Sequence, residues 1–165
     1  MKSLRLFSLL VLSLGMVACD SNTSSTSNAM TTEKIDTIFS QGDPNPFGQY
    51  FIGQSYLAKL GNDQLPLFNV TFEPGCRNNW HIHHATEGGG QILLCTAGRG
   101  WYQEWGQEAR ELHPGDVVNI APGVKHWHGA AKDSWFAHVA IEVPGKGQAN
   151  EWLEAVTDEA YNKLK

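Results

Sequence analysis

Seven histidines fall between His81 and His138 of this 165-residue chain, and four of them form two His-x-His pairs, His81-Ile82-His83 and His126-Trp127-His128. On a β-strand, residues i and i+2 share a face, so each pair turns two imidazoles to one side and a large apolar side chain to the other. One face then suits a metal and the other a core. If two such strands face each other across a barrel, the imidazoles converge, and neutral imidazole nitrogens are good ligands for first-row transition metals. A lone histidine carries no such implication; two spaced pairs do.

Strands must position these residues, and the sequence supplies them. From Ile35 onward short apolar runs alternate with Gly, Pro and Asn, with no sustained helical period until about the last fifteen residues. Strands are expected over 49–60, 67–72, 79–83, 91–96, 100–104, 109–112, 116–120, 125–128 and 135–142. Turns are expected at Glu73-Pro74-Gly75, Ala97-Gly98, His113-Pro114-Gly115 and Pro122-Gly123, where proline fixes φ or glycine tolerates a positive one. Many short strands of this kind imply an all-β sandwich or barrel in one domain, spanning about residues 34–146. Trp152, Val156 and Tyr161 recur at roughly helical spacing, which predicts an amphipathic C-terminal helix over 147–165 packed on the barrel. Trp101, Trp105, Trp127 and Trp135 are expected mainly in the core, with one or two at a pocket mouth.

The first eighteen residues read as an export signal, with Lys2 and Arg5 at the start, an apolar run from Leu6 to Leu14 and small residues before Cys19. That run is too short for a permanent membrane span. Met16-Val17-Ala18-Cys19 resembles the lipobox of bacterial lipoproteins, which makes Cys19 the expected lipidation site, and the Ser/Thr/Asn-rich stretch over 19–33 a flexible tether. The expected location is the periplasm or cell surface, with the membrane reached through that lipid only. Removing residues 1–18 takes the formal charge from −5 to −7, a balance that argues against nucleic acid as a partner. Cys76 and Cys95 would then sit in an oxidising compartment where a disulfide is permitted, although a buried free thiol suits Cys95 equally well.

The order of these residues resembles the cupins. Gly75, five residues and His81-Ile82-His83 follow their first motif. Gly115, Gly123 and His126 follow their second, with Ala121 in place of its proline and Ala130 in place of its asparagine. The resemblance implies a jelly-roll barrel and a metal held by His81, His83, His126 and a fourth oxygen ligand. Counting forward from His83 makes that ligand Glu87, whereas counting back from Gly98 makes it Gln91. Both counts hold only if the intervening loop has grown by about four residues. Strand position favours Gln91, with Glu87 as the alternative. A neutral amide there leaves the centre more positive than a carboxylate would.

Further stretches, among them Val70 to Gly75, His113 to Val118, Lys125 to Ala131 and Trp152 to Tyr161, are similar to a subgroup of small bacterial cupins that includes manganese-dependent hydroxynitrile lyases and carboxymuconolactone decarboxylase-like proteins. That resemblance implies a divalent metal, manganese first, with iron, nickel, cobalt, zinc and copper also compatible. It implies a lyase- or decarboxylase-type reaction on a small organic molecule, with His138 as the proton-transfer residue and His128 as a second candidate. Two other readings are an iron-dependent dioxygenase and a metal-dependent binding protein without turnover. A homodimer or larger homo-oligomer fits a domain of this size. His113 and His84 are expected at the surface and in the loop, respectively.

Overall fold

A computed structural model of the chain describes residues 35–61 and 64–165. The expected export signal, Cys19 and the tether lie outside the described residues. Strands run in chain order as β1 (Asp43–Pro44), β2 (Phe51–Ile52), β3 (Ser55–Lys59), β4 (Leu67–Phe72), β5 (Arg77–Asn78), β6 (His81–His84), β7 (Glu87–Gly88) and β8 (Gln91–Gly98). They continue as β9 (Gly100–Glu104), β10 (Arg110–Leu112), β11 (Val117–Ile120), β12 (His126–Ala130), β13 (Phe136–Glu142), β14 (Gly145–Lys146) and β15 (Ala149–Trp152). The sole helices among the described residues are a 3₁₀ turn at Gly48–Tyr50 and α1 (Asp158–Tyr161).

One sheet has the order β1-β3-β4-β13-β8-β11; the second runs β10-β9-β12-β5-β2, with β6 joined to β12 and β15 to β6. Burial alternates along β8, where Gln91, Leu93, Cys95 and Ala97 are buried and Leu94 is exposed, as expected for a strand with one face on a core. The core holds Phe72, Leu93, Leu112, Val118, Ile120 and Phe136. Cys76 and Cys95 are part of it as buried free thiols. The fold is the expected jelly roll, nearly all strand.

Gly100 marks how closely the sheets approach: a Cβ added there would lie 2.5 Å from Phe136 Cγ and 2.6 Å from the Gly129 carbonyl oxygen. Gly100→Ala is expected to destabilise by about 2–3 kcal/mol through overpacking, seen as a lower urea midpoint with unchanged slope; an unchanged midpoint would contradict this packing.

The C-terminal region departs from the expected helix. Residues 149–152 form a strand, with Asn150 opposite His83 and Trp152 opposite His81, and the helix shrinks to the single turn of α1. Thr157 caps that turn by accepting from the Ala160 amide at 3.2 Å. The apolar spacing read as helical belongs instead to two structures in succession. Val156 and Tyr161 pack with Trp80, Trp101 and Trp127 in a second cluster, while Trp152 turns to the cavity. Buried Arg77 fastens this tail, donating to the Val156 carbonyl at 3.1 Å and lying 4.2 Å over the Tyr161 ring.

Candidate metal centre

β6 does what the His-x-His spacing requires. His81 and His83 are buried, and His84 is exposed and bonded to Glu151. β12 lies beside β6 with His126 opposite His81, and the His81 and His126 rings come to 4.1 Å between centroids. The ligand-capable nitrogens of His81, His83 and His126 all lie within 4.8 Å of one another. Each ring is fixed by its Nδ1–H, which donates to the Asn79 carbonyl from His81 (3.0 Å), to Asn150 Oδ1 from His83 (2.8 Å) and to the Val124 carbonyl from His126 (2.9 Å). That assignment leaves Nε2 as the lone-pair nitrogen on all three.

Gln91, at the head of β8, is 6% exposed. Its Nε2 donates to Glu142 Oε1 at 3.1 Å, while its Oε1, like His83 Nε2 and His126 Nε2, is buried without a hydrogen-bond partner. An orphaned buried acceptor costs about 1–3 kcal/mol. Three acceptors buried this way in one site fit a cation. The donor set of three imidazoles and one amide oxygen suits a divalent transition metal. Glu87 is elsewhere: it is exposed in β7 and pairs with Lys146 at 2.6 Å. The enlarged loop carries it outward through Gly88, Gly89 and Gly90, all at positive φ, before β8 begins.

Burial, followed by repulsion from His126 and His83, holds His81 well below the ordinary histidine range. Burial likewise brings His126 down to about 4. These imidazoles are neutral at neutral pH, the form that ligates. At Glu142 burial pushes the carboxyl up, but the hydrogen bonds and charge it meets from His83 and Gln91 outweigh this and hold it below its usual range.

The centre borders a cavity of about 680 Å³ that His81, His83, Gln91, His128 and Glu142 help to line. Tyr50, Phe51, Leu57, Phe68, Val70 and Trp152 give it a largely apolar side, and Asn45, Gln49, Gln148 and Asn150 a polar one. Tyr50 stacks on Trp152 at 4.6 Å and 3°, and Trp152 lies 4.9 Å from the His81 ring. Of the aromatic residues considered for a pocket mouth, Trp101 and Trp127 belong to the outer cluster, Trp105 is exposed, and neither Trp105 nor Trp135 lines the cavity.

The two candidate proton-transfer histidines are placed differently with respect to the cavity. His138 is fully buried against the Phe72 and Phe136 rings and does not line the cavity, whereas His128 does. The cause is the central position of β13, between β4 and β8, which sets His138 deep in the core, with His128 reaching it from the opposite sheet. His138 Nε2 and His128 Nδ1 are 3.2 Å apart. Asn78 Oδ1 accepts from the His128 backbone N–H at 2.9 Å, so its Nδ2 donates to His128 Nε2 at 3.1 Å. His128 Nδ1 therefore carries the proton and donates it to His138. Burial brings His138 down to about 3, and burial followed by the neighbouring histidines holds His128 low as well.

Glu142 and Asn150 were not among the expected site residues. Glu142 could have been read from alternation, since His138, Ala140 and Glu142 share a face of β13. Asn150 could not, because its segment read as helix.

The sequence profile described as "Cupin domain" matches residues 68–141. The protein from Granulicella tundricola named (R)-mandelonitrile lyase is 50% identical over 95 residues, covering 58% of this chain and 70% of that protein. The chain belongs to the cupin family. A crystal structure of a cupin-like protein from Thermotoga maritima is 40% identical and matches this cupin with a TM-score of 0.69, covering 79% of this chain and 98% of that one. A DMSP lyase from Ruegeria pomeroyi, 20% identical, matches at a TM-score of 0.51 over 74% of this chain and 59% of its own, a likeness of fold alone.

Proposed function

We propose that this cupin is a metal-dependent lyase for small aromatic α-hydroxynitriles or closely related alcohols. The observation that carries the reading is the set of unpartnered buried acceptors, His83 Nε2, His126 Nε2 and Gln91 Oε1, beside a cavity lined in part by Tyr50, Phe51, Phe68 and Trp152. A divalent cation held there would act as a Lewis acid on a substrate oxygen. The relative named for mandelonitrile, an aromatic hydroxynitrile, supports the substrate class. Tyr50, Phe51 and Trp152 would hold the aromatic ring and keep water out. His128 would take the hydroxyl proton at Nε2 once the substrate hydroxyl displaces the Asn78 Nδ2–H that now occupies that lone pair, while its Nδ1–H stays hydrogen-bonded to neutral His138 Nε2. The carbon–cyanide bond then breaks with its electron pair leaving on cyanide, the carbonyl forms, and His128 returns the proton to give hydrogen cyanide.

The test is cyanide and aldehyde release from aromatic and aliphatic hydroxynitriles by the metal-loaded protein. His128→Ala is expected to lower kcat/KM by roughly 10²–10⁴-fold with metal content unchanged. Undiminished cleavage in that variant would remove His128 from the chemistry. Oxygen uptake with a catechol and no hydroxynitrile turnover would favour an iron oxygenase instead. Ligand binding without product from any substrate would favour a binding protein.

A further inference from the structure

We infer that Glu142 is the positioning residue that decides which end of the Gln91 amide faces the histidine cluster. The inference rests on the metal-centre reading above and deepens it. A carboxamide is nearly symmetric in shape, and its oxygen and nitrogen differ only in what they bond. For a cation the difference is decisive: the oxygen ligates, whereas the NH₂ turns two positive hydrogens toward the charge.

Register and chemistry single out Glu142. Gln91 and Glu142 are direct partners across β8 and β13. The Glu142 carboxylate offers acceptors only. Its Oε1 takes the Gln91 Nε2–H at 3.1 Å, and its Oε2 lies 3.2 Å from His83 Nδ1. With Oε1 placed there, the Gln91 amide has to turn its NH₂ to the acid and its Oε1 inward, where no other donor meets it. His83 keeps a second acceptor in Asn150 Oδ1 at 2.8 Å. Glu142 is the only hydrogen-bond partner found for the Gln91 side chain among the described residues. Loss of the carboxylate is therefore felt at Gln91 more than at His83.

An amide at position 142 reverses this logic. In Glu142→Gln, the new side-chain oxygen accepts from His83 and its NH₂ points at Gln91. Gln91 then flips to accept, and presents NH₂ to the histidine nitrogens. Adding Gln91→Glu to that variant repairs the pattern, because a carboxylate at 91 accepts from the amide at 142 and keeps its other oxygen inward.

The experiment is Co²⁺ titration of the metal-free proteins, followed by visible absorption, with thermal melts of the metal-free forms alongside. Glu142→Gln is expected to bind Co²⁺ roughly 10- to 100-fold more weakly with a near-unchanged metal-free melt, and the double variant to recover most of that loss. Wild-type affinity in Glu142→Gln, or a double variant as weak as the single one, overturns the inference and leaves the centre standing. Failure of the wild-type protein to take up one equivalent of Co²⁺ overturns the centre itself and the inference with it.

Discussion

Replacing His126 by alanine is expected to abolish stoichiometric uptake of Mn²⁺ or Co²⁺. The loss should exceed the roughly 10- to 100-fold that follows from removing only a ligand's hydrogen-bond partner. His126 is wholly buried, and its Nε2 has no partner in the protein, so nothing else at that position replaces the donor. Gln91→Ala should weaken uptake as well, because it removes a buried oxygen acceptor that no other described residue satisfies. Glu87→Ala should leave uptake unchanged, since its carboxylate spends its charge on exposed Lys146. Metal content after dialysis and direct titration check all three. Full metal retention in Gln91→Ala alongside loss in Glu87→Ala would overturn this ligand set.

The metal-free protein is expected to lose stability steeply as pH falls below about 6.5. His81, His126, His128 and His138 all have folded-state values below the ordinary histidine range, chiefly because they are buried, with His126 near 4 and His138 near 3. In the unfolded chain they titrate near 6.5. Between these limits the unfolded state binds more protons than the folded one, so stability is highest above 6.5 and declines with acid. Each histidine contributes at most about 1.4 kcal/mol per pH unit across its window. Since a typical domain has only about 5–15 kcal/mol in hand, acid unfolding of the metal-free form is expected well above pH 3. A bound cation should shift the transition to lower pH, because it competes with protons for the same nitrogens. Urea unfolding at a series of pH values, with and without metal, provides the check; a flat profile from pH 6.5 to 4 in the metal-free form would refute it.

The legible parts of this molecule are those that depend on local pattern. Alternation along a strand put His81 and His83 on one face, and the turns at Pro74-Gly75, Pro114-Gly115 and Pro122-Gly123 bounded the strands that the structure contains. The fixed spacing to Gly98 favours Gln91 over Glu87, and in the structure Gln91 is buried while Glu87 is exposed. What the sequence concealed depends on pairing between distant segments. Alternation assigns a side chain to a face but not to a depth, so His138 read as a cavity residue although it lies behind His128. The four residues 149–152 are strand-like only because β6 offers them an edge. Without that pairing Asn150 has no reason to stand beside His83. Glu142 was readable as an inward-facing acid, but its role follows from meeting Gln91 across two strands.

The placement of β13 also bears on how this protein comes into being. It lies between β4 and β8, so the middle of that sheet stays open until one of the last strands of the chain arrives. Closing those gaps means joining segments far apart in sequence, and topologies of that kind fold in roughly milliseconds to seconds rather than microseconds. The strand that completes the sheet also carries Glu142, and β15, which sets Asn150 against His83, follows it. The histidines can meet only loosely before then. A cation arriving before those strands would find imidazoles without their supporting acceptors, so the full set of contacts described for the candidate centre requires a chain that is nearly whole.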